Sequence, residues 1–117
     1  MATVNLTKDN FKKTVEDSDI VLVDFWADWC GPCKRFAPVY DKASGEHTDV
    51  VFGKVDTEAE QELAVQFQIT AIPTLMAFRD GILLFNQSGA MNGSSLNRVI
   101  DEIKALDMNK VKAQVGA

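Results

Sequence analysis

The segment Ile20-Val21-Leu22-Val23-Asp24-Phe25-Trp26 constrains the fold of this chain more than any other. It is almost continuously apolar and rich in β-branched residues, whereas a strand with one wet face alternates polar and apolar side chains. A strand of this kind has to be covered on both faces, and helices ordinarily do the covering. The flanking sequence supplies them. Leu6-Thr7 opens a helix, with Thr7 as its cap, Leu6 stapled onto Phe11, and Phe11 and Val15 as the apolar side. After the strand, Phe36, Val39, Tyr40 and Ala43 recur at helical spacing. Pro38 inside that helix is expected to kink it by removing a backbone donor and crowding the preceding turn.

Residues 50–55 read as a second buried strand, and Thr57-Glu58-Ala59-Glu60 as a capping box for a helix that buries Ala59, Leu63 and Phe67. Residues 74–78 and 82–85 flank Asp80-Gly81, a strong hairpin signal. The last clear helix carries Leu96, Val99, Ile100, Ile103 and Leu106. With an early short strand, the alternation predicts an α/β protein: a three-layer α/β/α sandwich whose mixed central sheet of about five strands is flanked by four helices.

The 117 residues contain no repeat, low-complexity stretch or Gly/Ser/Pro-rich linker, so one domain over residues 1–106 is expected. Residues 107–117 form an extension, read as a short amphipathic helix through Met108, Val111 and Val115 or as a tail. The net charge of −5 is spread along the chain, which argues against nucleic acid, since phosphates call for clustered Lys and Arg. No basic segment followed by an apolar one marks a signal peptide. No apolar run approaches the ~20 residues that span a bilayer. The expectation is a cytoplasmic protein with no membrane association, read as a monomer.

The two cysteines, Cys30 and Cys33, are poorly placed as a staple, because a bridge across two residues closes almost no loop. They stand where the buried strand ends and a helix begins. Unpaired N–H groups and the positive end of the helix dipole there favour an anion, so Cys30 should ionise below the free-thiol value of about 8.5. Cys30 is then the attacking thiolate and Cys33, one helical turn on, resolves the mixed disulfide. Gly31 and Pro32 bring neither charge nor side-chain donor to the thiolate, which favours a reductant over an oxidant. A zinc site would need four ligands, and the only other soft candidate is His47, read as a solvent-facing residue near a helix end; no metal is expected.

Two residues stay open on local grounds. Asp24 is either a strand-end carboxylate facing water or a buried proton acceptor beneath Cys33. Pro73 is either a plain strand-start residue or the second half of a cis peptide.

Val23-Asp24-Phe25-Trp26-Ala27-Asp28-Trp29-Cys30-Gly31-Pro32-Cys33-Lys34, followed by Ile72-Pro73-Thr74, resembles the active-site motif of the thioredoxin family almost residue for residue. The resemblance covers roughly residues 4 to 106. It implies the thioredoxin fold and protein-disulfide reductase activity. Cys30 and Cys33 would be the redox pair, Asp24 the proton acceptor, and Lys54 its neighbour on the adjacent strand. It implies a cis Pro73 facing the cysteines, with the backbone of Ile72 free to pair with substrate. Trp29 would lie over the active-site surface, and Gly89-Ala90 would form a glycine loop. With Gly31, Pro32 and Ile72 these residues would make a shallow apolar patch for disulfide-bearing protein substrates. No cofactor would be bound: electrons would come from NADPH through a thioredoxin reductase. The chain departs from the family pattern at Arg35, Ala71 and Ser88. A rival reading is a binding module or assembly subunit that uses the same surface without redox chemistry.

Overall fold

In the structure, a computed structural model that describes residues 2–116, the apolar run becomes a central strand. The elements in chain order are β1 (Thr3–Asn5), α1 (Phe11–Asp17), β2 (Ile20–Trp26), α2 (Gly31–Glu46), β3 (Val51–Asp56), α3 (Gln61–Gln66), β4 (Thr74–Arg79), β5 (Ile82–Ser88), α4 (Gly93–Ala105) and α5 (Met108–Val115). The sheet order is β1-β3-β2-β4-β5. β1, β3 and β2 run parallel, while β4 and β5 run antiparallel, so the sheet is mixed as expected.

Every β2 residue from Ile20 to Phe25 is buried, and alternation sorts the strand between two cores. Ile20 and Leu22 join Phe36, Tyr40 and Ala43 of α2 and Leu96, Ile100 and Ile103 of α4. Val21, Val23 and Phe25 join Phe11 and Val15 of α1 and Leu63 of α3. By the same period Asp24 falls on the α2 face. Gly53 in β3 lies so close to Leu6 that a Cβ there would collide with its side chain. Tyr40 reaches across this core to donate its hydroxyl to Gly53 O at 2.8 Å.

The hairpin turn is of the kind anticipated, with positive φ at both Asp80 (53°) and Gly81 (78°). α2 continues through Pro38 from Gly31 to Glu46.

Two helix starts differ from the sequence reading. α1 begins at Phe11 behind Asn10, after a turn in which Thr7 Oγ1 accepts from Asp9 N and Asn10 Oδ1 from Thr7 N. The Thr57–Glu60 capping box does not form. Thr57 turns its hydroxyl across the sheet to Trp26 O, Asp56 Oδ1 takes the amides of Glu58 and Ala59, and α3 starts only at Gln61. Ala59 is therefore exposed outside the helix, while Phe67 packs from its C-terminal end.

The extension is helical. Asp107 caps α5 by accepting from Asn109 N and Lys110 N, and Met108 is buried. Lys112 pairs with Asp80 at 3.1 Å, and Arg79 Nη1 donates to the carbonyls of Ile103, Lys104 and Leu106 at the end of α4. The hairpin turn thus holds both C-terminal helices. No helix among the described residues is long and apolar enough to cross a membrane.

Candidate active site

β2 ends at Trp26, and a short loop delivers Cys30 to the N-cap position of α2. An N-cap side chain accepts from the amide three residues on, and Cys30 Sγ does so from Cys33 N at 3.2 Å. Pro32 has no N–H to offer. The two cysteines are disulfide-bonded with Cα atoms 5.2 Å apart, and both are buried. Cys30 Sγ lies 3.7 Å from Ile72 O. The Ile72–Pro73 peptide bond is cis, and Pro73 O accepts from Gly89 N at 2.8 Å. The Ile72 backbone and the glycine loop are thereby held beside the cysteines.

Asp24 is 1% exposed, and its Oδ1 has no hydrogen-bond partner. Burial of the charge pushes its pKa up to about 7, while the positive charge of Lys54 pulls the other way. Lys54 stands opposite Asp24 in the β2–β3 register. It makes no ion pair with Asp24; its ammonium lies over the Trp26 ring, 5.0 Å from the centroid. A cavity of about 180 Å³ beside Cys33 is lined by Trp26, Ala27, Asp28, Lys34, Ala37 and Lys54. Trp26 packs against the cysteine cluster together with Ile72.

Trp29 is 69% exposed and lines a groove of about 380 Å³ with Thr57, Ala64, Ile69, Thr70, Ala71 and Ile72. Gly31, Pro32, Gly89 and Ala90 are exposed around the disulfide, Gly89 with φ of 104°. His47 is at the far end of α2, bound to Asn97 Oδ1 at 2.9 Å and to Lys104 Nζ at 3.2 Å. That end of a sixteen-residue helix is out of reach of the cysteines. Among the described residues, no group of three or more His, Cys, Asp or Glu side chains is gathered as a metal ion would need.

Thr57 was not legible as a site residue. Its amide and hydroxyl both donate to Trp26 O, at 2.9 and 3.0 Å, and so fix the strand end from which the cysteine loop departs. Its partner lies 31 residues away, and no local pattern carries that pairing.

The family profile described as Thioredoxin matches residues 2–102. The chain belongs to the thioredoxin family. It is 54% identical to "Putative thioredoxin 2" of Streptomyces coelicolor over 114 residues, covering 97% of this chain and 85% of that one. It is 48% identical over 83 residues to "Protein disulfide-isomerase A4" of Bos taurus, covering 68% of this chain but only 13% of that longer protein. Its structure is similar to that of Plasmodium falciparum thioredoxin, with a TM-score of 0.78 at 36% identity, covering 84% of this chain and 96% of that one. Like the thioredoxin family, the chain is a thiol–disulfide oxidoreductase that reduces protein disulfides.

Proposed function

We propose that Cys30 is the attacking thiolate and Cys33 the resolving one. Cys30 Sγ⁻ attacks one sulfur of a substrate disulfide and the other substrate sulfur leaves as thiolate. Cys33 then passes its proton to Asp24 and attacks Cys30 Sγ. The bond from Cys30 to the substrate breaks, the substrate's second sulfur leaves as thiolate, and the Cys30–Cys33 disulfide closes with two electrons transferred; the proton held by Asp24 and one from water complete the substrate dithiol. Cys30 takes the first role because it occupies the helix N-cap, where the Cys33 amide stabilises its negative charge. Asp24 fits the second role because a carboxylate with pKa near 7 both accepts and returns a proton at neutral pH.

Substrate chains lie on the backbone of Ile72 and against Trp29, Gly31, Pro32, Pro73, Gly89 and Ala90. A thioredoxin reductase spending NADPH restores the dithiol, and the setting of this electron transport is the cytoplasm, where thiols are kept reduced. The observation that carries the reading is Cys30 Sγ at an N-cap, 3.7 Å from Ile72 O, with Gly31, Pro32, Gly89 and Ala90 exposed around it.

The test is trapping with disulfide-bonded insulin and mass spectrometry. Cys33→Ser should accumulate a covalent adduct through Cys30, and Cys30→Ser should form none. Adducts through Cys33 in the Cys30→Ser chain would reverse the assignment.

A further inference from the structure

Resting on the polypeptide-substrate reading above, we propose that Ser88 is a positioning residue for the substrate groove. It acts through a hydroxyl relay, Ser88–Thr74–Ala71, that joins the groove lined by Ala71 and Ile72 to a neighbouring loop. The groove side of the relay is the turn of residues 71–73, which presents the Ile72 backbone beside Cys30. Its other side is the exposed loop of residues 88–90 at the end of β5. Thr74 and Ser88 are cross-strand partners in the β4–β5 ladder, and their hydroxyls lie 3.0 Å apart.

The direction of the relay follows from counting hydrogens. A hydroxyl has one proton to give. Thr74 Oγ1 gives its proton to Ala71 O, one residue before Ile72. The proton between the two hydroxyls must therefore come from Ser88, so Ser88 donates to Thr74 and Thr74 to Ala71. Donating chains of this kind polarise and strengthen each link. The backbone bond from Gly89 N to Pro73 O, at 2.8 Å, ties the same two segments one residue further along. Ala71 lacks a polar side chain of its own to hold the turn. An apolar residue at 88 would leave Thr74 without that donor, and the turn would be held by fewer bonds.

The relay touches neither sulfur. It acts on where the Ile72 backbone stands when an extended chain pairs with it, which matters for a polypeptide and not for a small disulfide that reaches only Cys30. The experiment measures kcat and KM of the full chain on insulin and on a small aromatic disulfide, for wild type, Ser88→Ala, Ser88→Thr and Thr74→Ser. In Ser88→Ala the ratio of kcat/KM on insulin to kcat/KM on the small disulfide should fall about fivefold through KM, the size expected for one lost hydrogen bond. Ser88→Thr and Thr74→Ser, which keep both hydroxyls, should restore the wild-type ratio. An unchanged ratio in Ser88→Ala, or a fall that Ser88→Thr does not rescue, would overturn the relay. A wild-type chain that reduces the small disulfide but not insulin would instead overturn the polypeptide reading on which the relay rests.

Discussion

At Asp24 a single carboxyl carries both the proposed proton transfer and a stability penalty. Its pKa stands near 7 in the folded chain against 3.8 for an ordinary aspartate, because burial disfavours the charge. Between those values the folded state holds a proton that the unfolded state has released, so stability falls as pH rises through that window and levels off above about pH 7. A shift of about three units corresponds to roughly 4 kcal/mol as an upper figure. Asp24→Asn should therefore be more stable than wild type in urea at pH 8 by a few kcal/mol, with the difference shrinking toward pH 4. The same variant should slow resolution of the mixed disulfide at neutral pH, and stopped-flow rates should lose the rise with pH around 7 that is expected of wild type. Local sequence left Asp24 open between water and core, since one polar residue in an apolar run fits either. What decides it is the α2 face above β2, a contact that no local pattern encodes.

Among the elements, α2 ties the site to the core. Its N-terminus holds the cysteines and its middle is anchored by Tyr40 on Gly53 O. Tyr40→Phe should lower stability in urea by about 1–2 kcal/mol, the value of one buried hydrogen bond, and leave the fold intact. Pro32→His places a donor beside the Cys30 thiolate and so stabilises the reduced form. The reduction potential, titrated against dithiothreitol, should rise by roughly 30–60 mV, given about 30 mV per 1.4 kcal/mol and a charge-assisted bond. The strands, the hairpin and the apolar faces were legible because their signals are periodic and local. The starts of α1 and α3 were not. Thr7 and Thr57 each look like caps, but the Thr57 hydroxyl is claimed by a carbonyl of β2 and the next amides by Asp56. A capping pattern reports only what a side chain can do among its neighbours.

For the molecule as a whole, the antiparallel β4–β5 pair separates two ends. Thr74 and Ser88 stand at the end with the cysteines, and Arg79, Asp80 and Ile82 at the other, where α4 and α5 are held. Removal of residues 107–117 takes away the buried Met108 and the exposed Lys112–Asp80 pair. The expected outcome is a loss of about 1–2 kcal/mol, seen as a lower melting temperature, with insulin reduction unchanged. Amphipathic spacing in the extension already allowed a helix; the Asp80 partner that Lys112 finds comes from a distant hairpin.

The two indoles sit in opposite surroundings: Trp26 packs against the cysteine cluster, and Trp29 is 69% exposed beside it. The chain thereby carries two optical gauges that answer different questions. Iodide in solution should quench Trp29 and spare Trp26. Docking of a polypeptide should shield Trp29 from iodide without altering the emission that Trp26 owes to the state of the sulfurs. Occupancy of the surface and oxidation of the pair can then be followed separately, in one cuvette, with no label attached.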